Sequence, residues 1–252
     1  MKVITVSNQK GGVGKTTITF HLAHYLWKQG HCVLAIDLDP QGNLTSTFLT
    51  DELDDDTWKV AHVKKIFEDG VAYPIEVRER LMILPSDIRL AVIETQTSLT
   101  NYYKLKRFTD KLKGIDYVVI DTPPNLGLFT INALLAATHI VIPIQPSRYA
   151  QIALSTLLAT VESIKESSGG GGEIAGVVIT RAKTNTRMYQ ETVEWLRTAH
   201  PGLLIEPAIP DTVKVQYSIR ERIPVFEKYP KDKIVEVFES LCKNIKEAID
   251  NG

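Results

Sequence analysis

The chain has 252 residues, of which 44% are hydrophobic, and its formal net charge is −1. No apolar run approaches the roughly 18 residues that a transmembrane helix requires, and two cysteines are too few for a disulfide framework. The N-terminus carries no basic-then-apolar leader, so we expect a cytoplasmic protein. Because the net charge is close to zero, any binding of nucleic acid must depend on a local basic patch.

The first segment, VITVSNQKGGVGKTT at 3–17, predicts a strand, a glycine-rich loop and the start of a helix. This order cradles the phosphates of a nucleotide, since glycines let backbone N–H groups approach an anion and a helix N-terminus adds partial positive charge. Lys15 would bind the β- and γ-phosphates, and the Thr16 hydroxyl would be a ligand of Mg²⁺. The residues expected to contact the nucleotide are Gly11, Gly12, Val13, Gly14, Lys15, Thr16 and Thr17.

This loop departs from the usual P-loop pattern G-x-x-x-x-G-K-[ST], because Gln9 occupies the position of the first glycine. The segment KGGVGKT has instead the deviant Walker A form, K-G-G-x-G-K-[ST], which contains a second lysine, Lys10. A glycine turn that binds nothing is the competing interpretation. Agreement at seven consecutive positions, between a predicted strand and a predicted helix, favours the nucleotide site.

The next elements continue the strand–helix alternation. Apolar residues at 18–27 repeat at helical spacing, and CVLAIDLDP at 32–40 predicts a buried strand that ends in two aspartates. Asp39 opens the turn-rich segment DPQGN, where a carboxylate could orient the attacking water or hold Mg²⁺ through water. The alternative for Asp39 is an Asx-turn at a strand end.

The middle of the chain is less informative until a second acidic strand. We expect a solvated loop at 51–56, a short strand at 81–84 and a helix of mixed charge at 89–113. YVVIDTPP at 117–124 predicts an apolar strand that ends in Asp121. This is typical of a Walker B strand whose aspartate supports Mg²⁺, although an ordinary strand end would read the same way in isolation.

The remaining segments predict further helices at 126–137, 150–164 and 186–200, and strands at 139–143, 174–180 and 203–209. A glycine run at 169–172 predicts a surface turn. Strands that alternate with helices throughout indicate an α/β fold, a doubly wound, mainly parallel sheet flanked by helices, with residues 1–252 in one domain.

The segments VSNQKGGVGKTT, DLDPQGN and VVIDTPP, in this order and spacing, resemble the ParA family of deviant Walker A ATPases, a P-loop NTPase family that also includes MinD. The resemblance implies a homodimer that sandwiches ATP and Mg²⁺ and hydrolyses ATP slowly to ADP and phosphate. In such a dimer, Lys10 of one subunit reaches the phosphates bound by the other. The resemblance also implies that Asp39 helps to activate water, that Asp121 supports Mg²⁺, and that Pro210 borders the adenine.

Two departures from the family qualify this resemblance. Arg181 stands where many relatives place an asparagine for base contact, so base recognition at 180–181 stays open. We expect no N-terminal helix-turn-helix extension, because the P-loop begins within ten residues of the first residue.

Three functions remain compatible with these motifs. The predicted one is a partition ATPase that binds DNA non-specifically as an ATP dimer, associates with the nucleoid, and positions plasmid, chromosome or other cargo with a ParB-like or other adaptor that stimulates hydrolysis. The first alternative is a MinD-like ATPase on a membrane, but the amphipathic segment 234–249 has net acidic flanking charges. The second is a metabolic ATP-dependent ligase or kinase.

A local excess of basic residues favours the DNA-binding alternative. Between 212 and 233, six lysines and arginines oppose three acids, which leaves a local charge of about +3. Lys214, Arg220 and Arg222 are the candidate DNA contacts, by similarity to partition relatives that carry basic residues here. A solvated charged face is the competing interpretation.

Overall fold

The computed structural model describes residues 1–49, 53–95 and 99–251. Within these residues, eight strands form one sheet in the order β3-β4-β2-β5-β1-β6-β7-β8. All neighbouring pairs are parallel except β3 and β4. The strands are β1 Lys2–Val6, β2 Val33–Asp37, β3 Ile75–Arg78, β4 Leu81–Leu84, β5 Tyr117–Asp121, β6 His139–Ile144, β7 Glu173–Ile179 and β8 Leu204–Ile205.

Helices cover both faces of this sheet, as in other doubly wound folds. In chain order they are α1 Lys15–Lys28, α2 Asn43–Phe48, α3 Asp55–Ala61, α4 Lys64–Glu68, α5 Lys104–Thr109, α6 Leu128–Ala136, α7 Ala150–Ser168, α8 Arg187–Ala199, α9 Val213–Arg220, α10 Val225–Lys228 and α11 Lys233–Asn251. One face packs against α1, α2 and α9–α11, and the other against α4–α8. The predicted fold class is therefore confirmed.

Three local predictions were wrong, at 51–56, 203–209 and 89–113, and one strand was missed. The acidic run at 51–56 is not only a loop, because the Asp54 side chain accepts a hydrogen bond from the Thr57 N–H at 2.7 Å and caps α3, which begins at Asp55. Residues 51 and 52 lie outside the described residues. The strand expected at 203–209 ends at Ile205, since Pro207 has no N–H with which to extend the ladder. The antiparallel edge strand β3 was not predicted.

The helix expected at 89–113 is also divided. Two 3-10 segments, Ile88–Thr95 and Leu99–Tyr103, precede α5, and residues 96–98 lie outside the described residues. The buried side-chain amide of Asn132 bonds to the backbone on both sides of the junction between the second 3-10 segment and α5. It accepts from the Leu105 N–H at 3.2 Å and donates to the Asn101 carbonyl at 2.9 Å. These bonds satisfy backbone groups that a continuous helix would have paired internally.

The register of the central strands places the functional segments together. Asp121 lies opposite Val6 of β1 on one side and Asp37 of β2 on the other. Since parallel neighbouring strands end at the same edge of a sheet, the loops that follow β1, β2 and β5 meet there.

The amphipathic C-terminal segment forms α11. Its apolar side chains, Ile234, Phe238, Leu241, Ile245 and Ile249, are buried in the core that they share with α1 and the sheet. The face that a membrane anchor would expose is therefore covered by the protein itself. No helix in the described parts of the chain has both the length and the apolar character needed to cross a bilayer.

Candidate nucleotide site

The glycine loop between β1 and α1 is held from two sides. Gly12 and Gly14 have φ angles of 73° and 87°, in the left-handed region that glycine adopts without steric cost. The Thr180 hydroxyl, from the end of β7, donates a hydrogen bond to the Val13 carbonyl at 2.7 Å. The Asn8 side chain accepts from the Lys10 N–H at 2.8 Å and donates to the Pro143 carbonyl at 2.7 Å. The loop is therefore preorganised by the strands beside it.

Lys15, the first residue of α1, lies inside this loop. Its side chain is buried, and its ammonium donates to the Lys10 carbonyl at 3.3 Å. Burial lowers the pKa of Lys15, and the nearby carboxylates of Asp121 and Asp39 oppose that shift. A phosphate group would supply the negative charge that this desolvated ammonium needs, as the sequence predicts for a P-loop lysine.

Thr16 and Asp121 lie at the position expected for Mg²⁺. The Thr16 hydroxyl donates to Asp121 Oδ2 at 2.6 Å, whereas Asp121 Oδ1 is buried without a hydrogen-bond partner among the described residues. Burial and the neighbouring Asp37 raise the pKa of Asp121 well above its usual range. A bound cation would relieve this desolvation, so the donor set fits Mg²⁺ held through the Thr16 hydroxyl, waters and phosphate oxygens.

Asp39 both forms an Asx-turn and lies beside the glycine loop, which are the two alternatives that the sequence left open. Its Oδ1 accepts from the Gln41 N–H at 2.9 Å, which is the Asx-turn, and the same side chain lines the cavity beside the glycine loop. Its turn is anchored by Asp37, which is fully buried and accepts from the Asp39 N–H at 3.0 Å and from the Thr45 N–H and hydroxyl at 2.8 Å each. Burial raises the pKa of Asp37 to about 7.

The cavity beside the loop has a volume of about 540 Å³, and it continues into a second cavity of about 420 Å³. The first contains the polar groups expected around phosphates: Gly11, Gly12, Gly14, Lys15, Thr16, Thr17, Asp39, Gln41 and Asn43. The second is bordered by Pro210, Arg181, Asp211 and Gln216, and it shares Gly12, Gly14 and Thr17 with the first. The two cavities form one elongated cleft. We call the first the phosphate cavity, or phosphate end, and the second the base end, after the groups that the sequence predicts there.

Arg181 contributes to the base end in an unusual backbone conformation. Its φ is 48°, and its guanidinium Nε lies 3.7 Å from Asp211 Oδ1. The side chain lines the cavity that Pro210 borders. The base end therefore contains the charged pair Arg181–Asp211, at the position where the resemblance to the family does not predict how the base is recognised.

The structure places the remaining predicted residues in different ways. Lys10 is exposed, and within the described ranges its ammonium has no hydrogen-bond or ion-pair partner. The Val13 side chain is buried, and the Val13 carbonyl accepts the hydrogen bond from the Thr180 hydroxyl. Lys214 forms an ion pair with Asp232. Arg220 and Arg222 line the phosphate cavity.

Sequence reasoning missed several residues that shape the site. Asp37 belongs to the DLDPQGN segment, but its role as the buried anchor of that segment depends on Thr45, eight residues later. Gln41 and Asn43 from the same segment line the phosphate cavity. The role of the Thr180 hydroxyl could not be predicted from neighbouring residues, because its hydrogen-bond partner, the Val13 carbonyl, is 167 residues away in the sequence.

Comparisons with known proteins agree with this geometry. A family model described as AAA domain matches residues 1–170. The sporulation initiation inhibitor protein Soj of Bacillus subtilis (strain 168) is 33% identical over 249 residues, which cover 97% of this chain and 98% of that protein. The chain belongs to the ParA family of P-loop ATPases.

Solved structures place this ParA-family chain among nucleotide-binding relatives. A plasmid partition protein of Borrelia burgdorferi B31 bound to AMPPNP is 26% identical with a TM-score of 0.82, covering 99% of this chain and 98% of its own. Cobyrinic acid a,c-diamide synthase of Mycobacterium smegmatis, bound to an ATP analogue and magnesium, is 29% identical with a TM-score of 0.79, covering 96% and 93%. The ParA-family fold therefore occurs in both partition and biosynthetic proteins.

Proposed function

We propose that this chain is an ATP-driven partition ATPase: it binds ATP and Mg²⁺, dimerises around the nucleotide, and in that state binds DNA without sequence preference to position a cargo. The observation that carries the proposal is the meeting of Lys15, Thr16 and Asp39 at one cavity, with Asp121 hydrogen-bonded to Thr16. An exposed lysine, Lys10, lies in the same loop, and its carbonyl accepts from the Lys15 ammonium. The single sheet supports assigning residues 1–252 to one domain.

The side chains divide the chemistry between them. Lys15 and the loop N–H groups bind the β- and γ-phosphates, and Thr16 with Asp121 holds the metal ion. Bound Mg²⁺ neutralises charge on the phosphate oxygens. Asp39, on a turn anchored by the buried Asp37, orients or deprotonates the attacking water. Hydrolysis breaks the bond to the terminal phosphate and releases ADP and phosphate.

Lys10 links this chemistry to dimerisation. An exposed ammonium with no partner among the described residues of its own subunit can reach the phosphates of a second subunit across an interface. Because the terminal phosphate adds negative charge for this ammonium to bind, ATP would stabilise the dimer more than ADP, and hydrolysis would release it. An adaptor that accelerates hydrolysis would then clear the protein locally from DNA, where it is otherwise nucleoid-associated.

The segment 212–233 is the proposed DNA-binding surface. Its three acids each face a basic residue, in the pairs Lys214–Asp232, Lys228–Glu221 and Arg78–Glu227. Arg220, Lys231 and Lys233 remain exposed. Contacts between a few cations and phosphates give weak, salt-sensitive affinity, and a dimer that presents two such segments binds much more strongly by effective concentration.

The deciding experiment measures binding of random-sequence DNA with ATP, with ADP and without nucleotide. We expect binding only with ATP, and its loss in Lys231→Glu/Lys233→Glu with ATP-dependent dimerisation retained, because neither lysine lines the nucleotide cavities. The matched control, Lys65→Glu/Lys106→Glu, reverses two lysines on the opposite face of the sheet and should bind DNA normally. Equal binding of DNA with ADP would contradict the proposal.

A second candidate function comes from the similarity to cobyrinic acid a,c-diamide synthase. On this alternative the chain would be an ATP-dependent ligase, and the phosphate cavity would also admit a small acceptor. The same experiment separates the two functions. A ligase would show steady turnover that depends on a small acceptor and does not respond to DNA.

A further inference from the structure

Arg222 lies in the connection 221–224 between α9 and α10, which passes over the phosphate cavity. The side chain lines that cavity together with Gly11, Lys15 and Asp39. It also lines a neighbouring cavity of about 480 Å³ on the far side of α2. Arg222 therefore forms part of the wall between the phosphate cavity and that neighbouring cavity.

The backbone at Arg222 has a conformation that side chains rarely adopt. Its φ is 60°, in the left-handed region that favours glycine. A non-glycine residue persists there only where the surrounding structure holds it, and such positions cluster at functional sites.

The connection is anchored directly to the P-loop helix. The buried His21 of α1 donates from Nδ1 to the Thr17 carbonyl at 2.8 Å, so its Nε2 is free to accept from the Val225 N–H at 3.3 Å. On the other side, the Ser218 hydroxyl donates to the Ile223 carbonyl at 2.6 Å. Thr17 itself lines the phosphate cavity. These hydrogen bonds therefore fix the connection that contains Arg222 relative to the P-loop helix.

The guanidinium of Arg222 is placed to bind an anion. Its Nε–H donates to the Ser46 carbonyl of α2 at 2.7 Å, and it forms no ion pair within the described residues. The adjacent Glu221 is paired with Lys228 instead. The terminal N–H groups thus keep their donor capacity, and an arginine fork suits phosphate oxygens.

We propose that Arg222 binds the terminal phosphate of ATP within the same subunit and, through Ser46, transmits its presence to the segment 39–48 that contains Asp39. The sequence alone places Arg222 among the DNA contacts, and this inference gives it a different ligand. It rests on the proposed binding of ATP but is independent of DNA binding.

The test replaces Arg222 by glycine, which removes the guanidinium and suits the left-handed backbone. The matched control is Arg80→Gly, because Arg80 also has a positive φ, 68°, and lies in the β3–β4 turn away from both cavities. Calorimetry at concentrations that keep the protein monomeric gives the dissociation constants for ADP and for a non-hydrolysable ATP analogue. Arg222→Asn, which also tolerates the left-handed region, is the second variant if Arg222→Gly melts early.

We expect Arg222→Gly to weaken binding of the ATP analogue about tenfold or more and binding of ADP less than about twofold, because a charge-assisted contact to the third phosphate is lost. Hydrogen exchange at 39–48 should slow with the ATP analogue in wild type and in Arg80→Gly, but not in Arg222→Gly. Equal weakening for both nucleotides, or unchanged nucleotide affinities with weaker DNA binding, would overturn the inference. Failure of wild type to bind ATP would instead refute the proposed function.

Discussion

The glycine loop at 8–17 and the α9–α10 connection at 221–224 face the same cavity, but they are built in different ways. The loop is assembled mainly from neighbouring residues: backbone N–H groups, two left-handed glycines and Lys15 at the start of a helix. The connection is positioned by contacts between residues far apart in sequence, 204 residues for Val225 with His21 and 176 for Arg222 with Ser46. A local motif can therefore be predicted from the sequence, whereas a surface assembled from residues distant in the sequence cannot.

The two regions also differ in how they hold positive charge. Lys15 is buried inside its loop, where desolvation lowers its pKa and makes an anion the natural partner. Arg222 is exposed and tethered through one N–H, so its remaining donors face both protein and solvent. We expect the loop to dominate binding and the connection to discriminate between nucleotides.

The largest effect is expected from Lys15→Ala. Removing a desolvated ammonium from a phosphate site should weaken ATP binding by about a hundredfold or more, and ATP-dependent dimerisation should disappear with it. Calorimetry measures the affinity, with Lys28→Ala at the far end of the same helix as the control. If both variants bind ATP like wild type, the loop is not the dominant contact.

The next effect concerns rate and not affinity. Asp39→Ala should retain binding of ATP and Mg²⁺ but hydrolyse ATP about a hundredfold more slowly, because the group that orients water is missing. Phosphate release under single-turnover conditions measures the rate, and Asp56→Ala is a control on the exposed surface. Wild-type turnover in Asp39→Ala would remove this carboxylate from the chemistry.

Lys10→Ala tests whether the exposed lysine acts between subunits. We expect monomers to bind ATP nearly as well as wild type, while the dimer formed with a non-hydrolysable analogue dissociates about tenfold more readily, since one cation per site is lost at the interface. Sedimentation or size-exclusion chromatography across a concentration series gives the dimer constant. A dimer of unchanged stability would contradict a role across the interface.

His21→Gln tests the link between the two regions, and its effect is on the pH dependence of stability and not on nucleotide binding. Burial lowers the pKa of His21 to about 3, so below about pH 6.5 the unfolded chain takes up a proton that the folded chain excludes. The contribution of His21 to the free energy of unfolding is therefore full at neutral pH and falls as the pH drops from about 6.5 towards 3.

Denaturant unfolding of wild type and His21→Gln between pH 7 and pH 5 measures this difference. Wild type should lose up to about 1.4 kcal/mol per pH unit from this one group, and the variant should lose correspondingly less. His24, whose pKa is lowered to about 4 by burial, is present in both proteins and contributes equally to the pH dependence of their free energies of unfolding. If the free energy of unfolding falls equally with pH in both proteins, His21 is not a buried neutral ring that joins α1 to the α9–α10 connection.

Much of the fold and of the phosphate end could be predicted, because the signals are periodic or contiguous. Alternating apolar strands and helices indicated a parallel sheet, and the segments at 9–17, 39–43 and 121 all lie at its carboxyl edge. The errors at 51–56 and 89–113 have a common origin: a capping aspartate and the buried Asn132 override the local pattern.

The sequence by itself determined the glycine loop, its lysine and hydroxyl, and the acids at two strand ends, because each depends on neighbours within a few residues. Only the tertiary structure decided that Asp37 anchors Thr45, that Thr180 holds the loop, and that Arg220 and Arg222 face the phosphate cavity. Those placements depend on which distant segments pack together, and their hydrogen bonds form only after the sheet and helices have closed around the site.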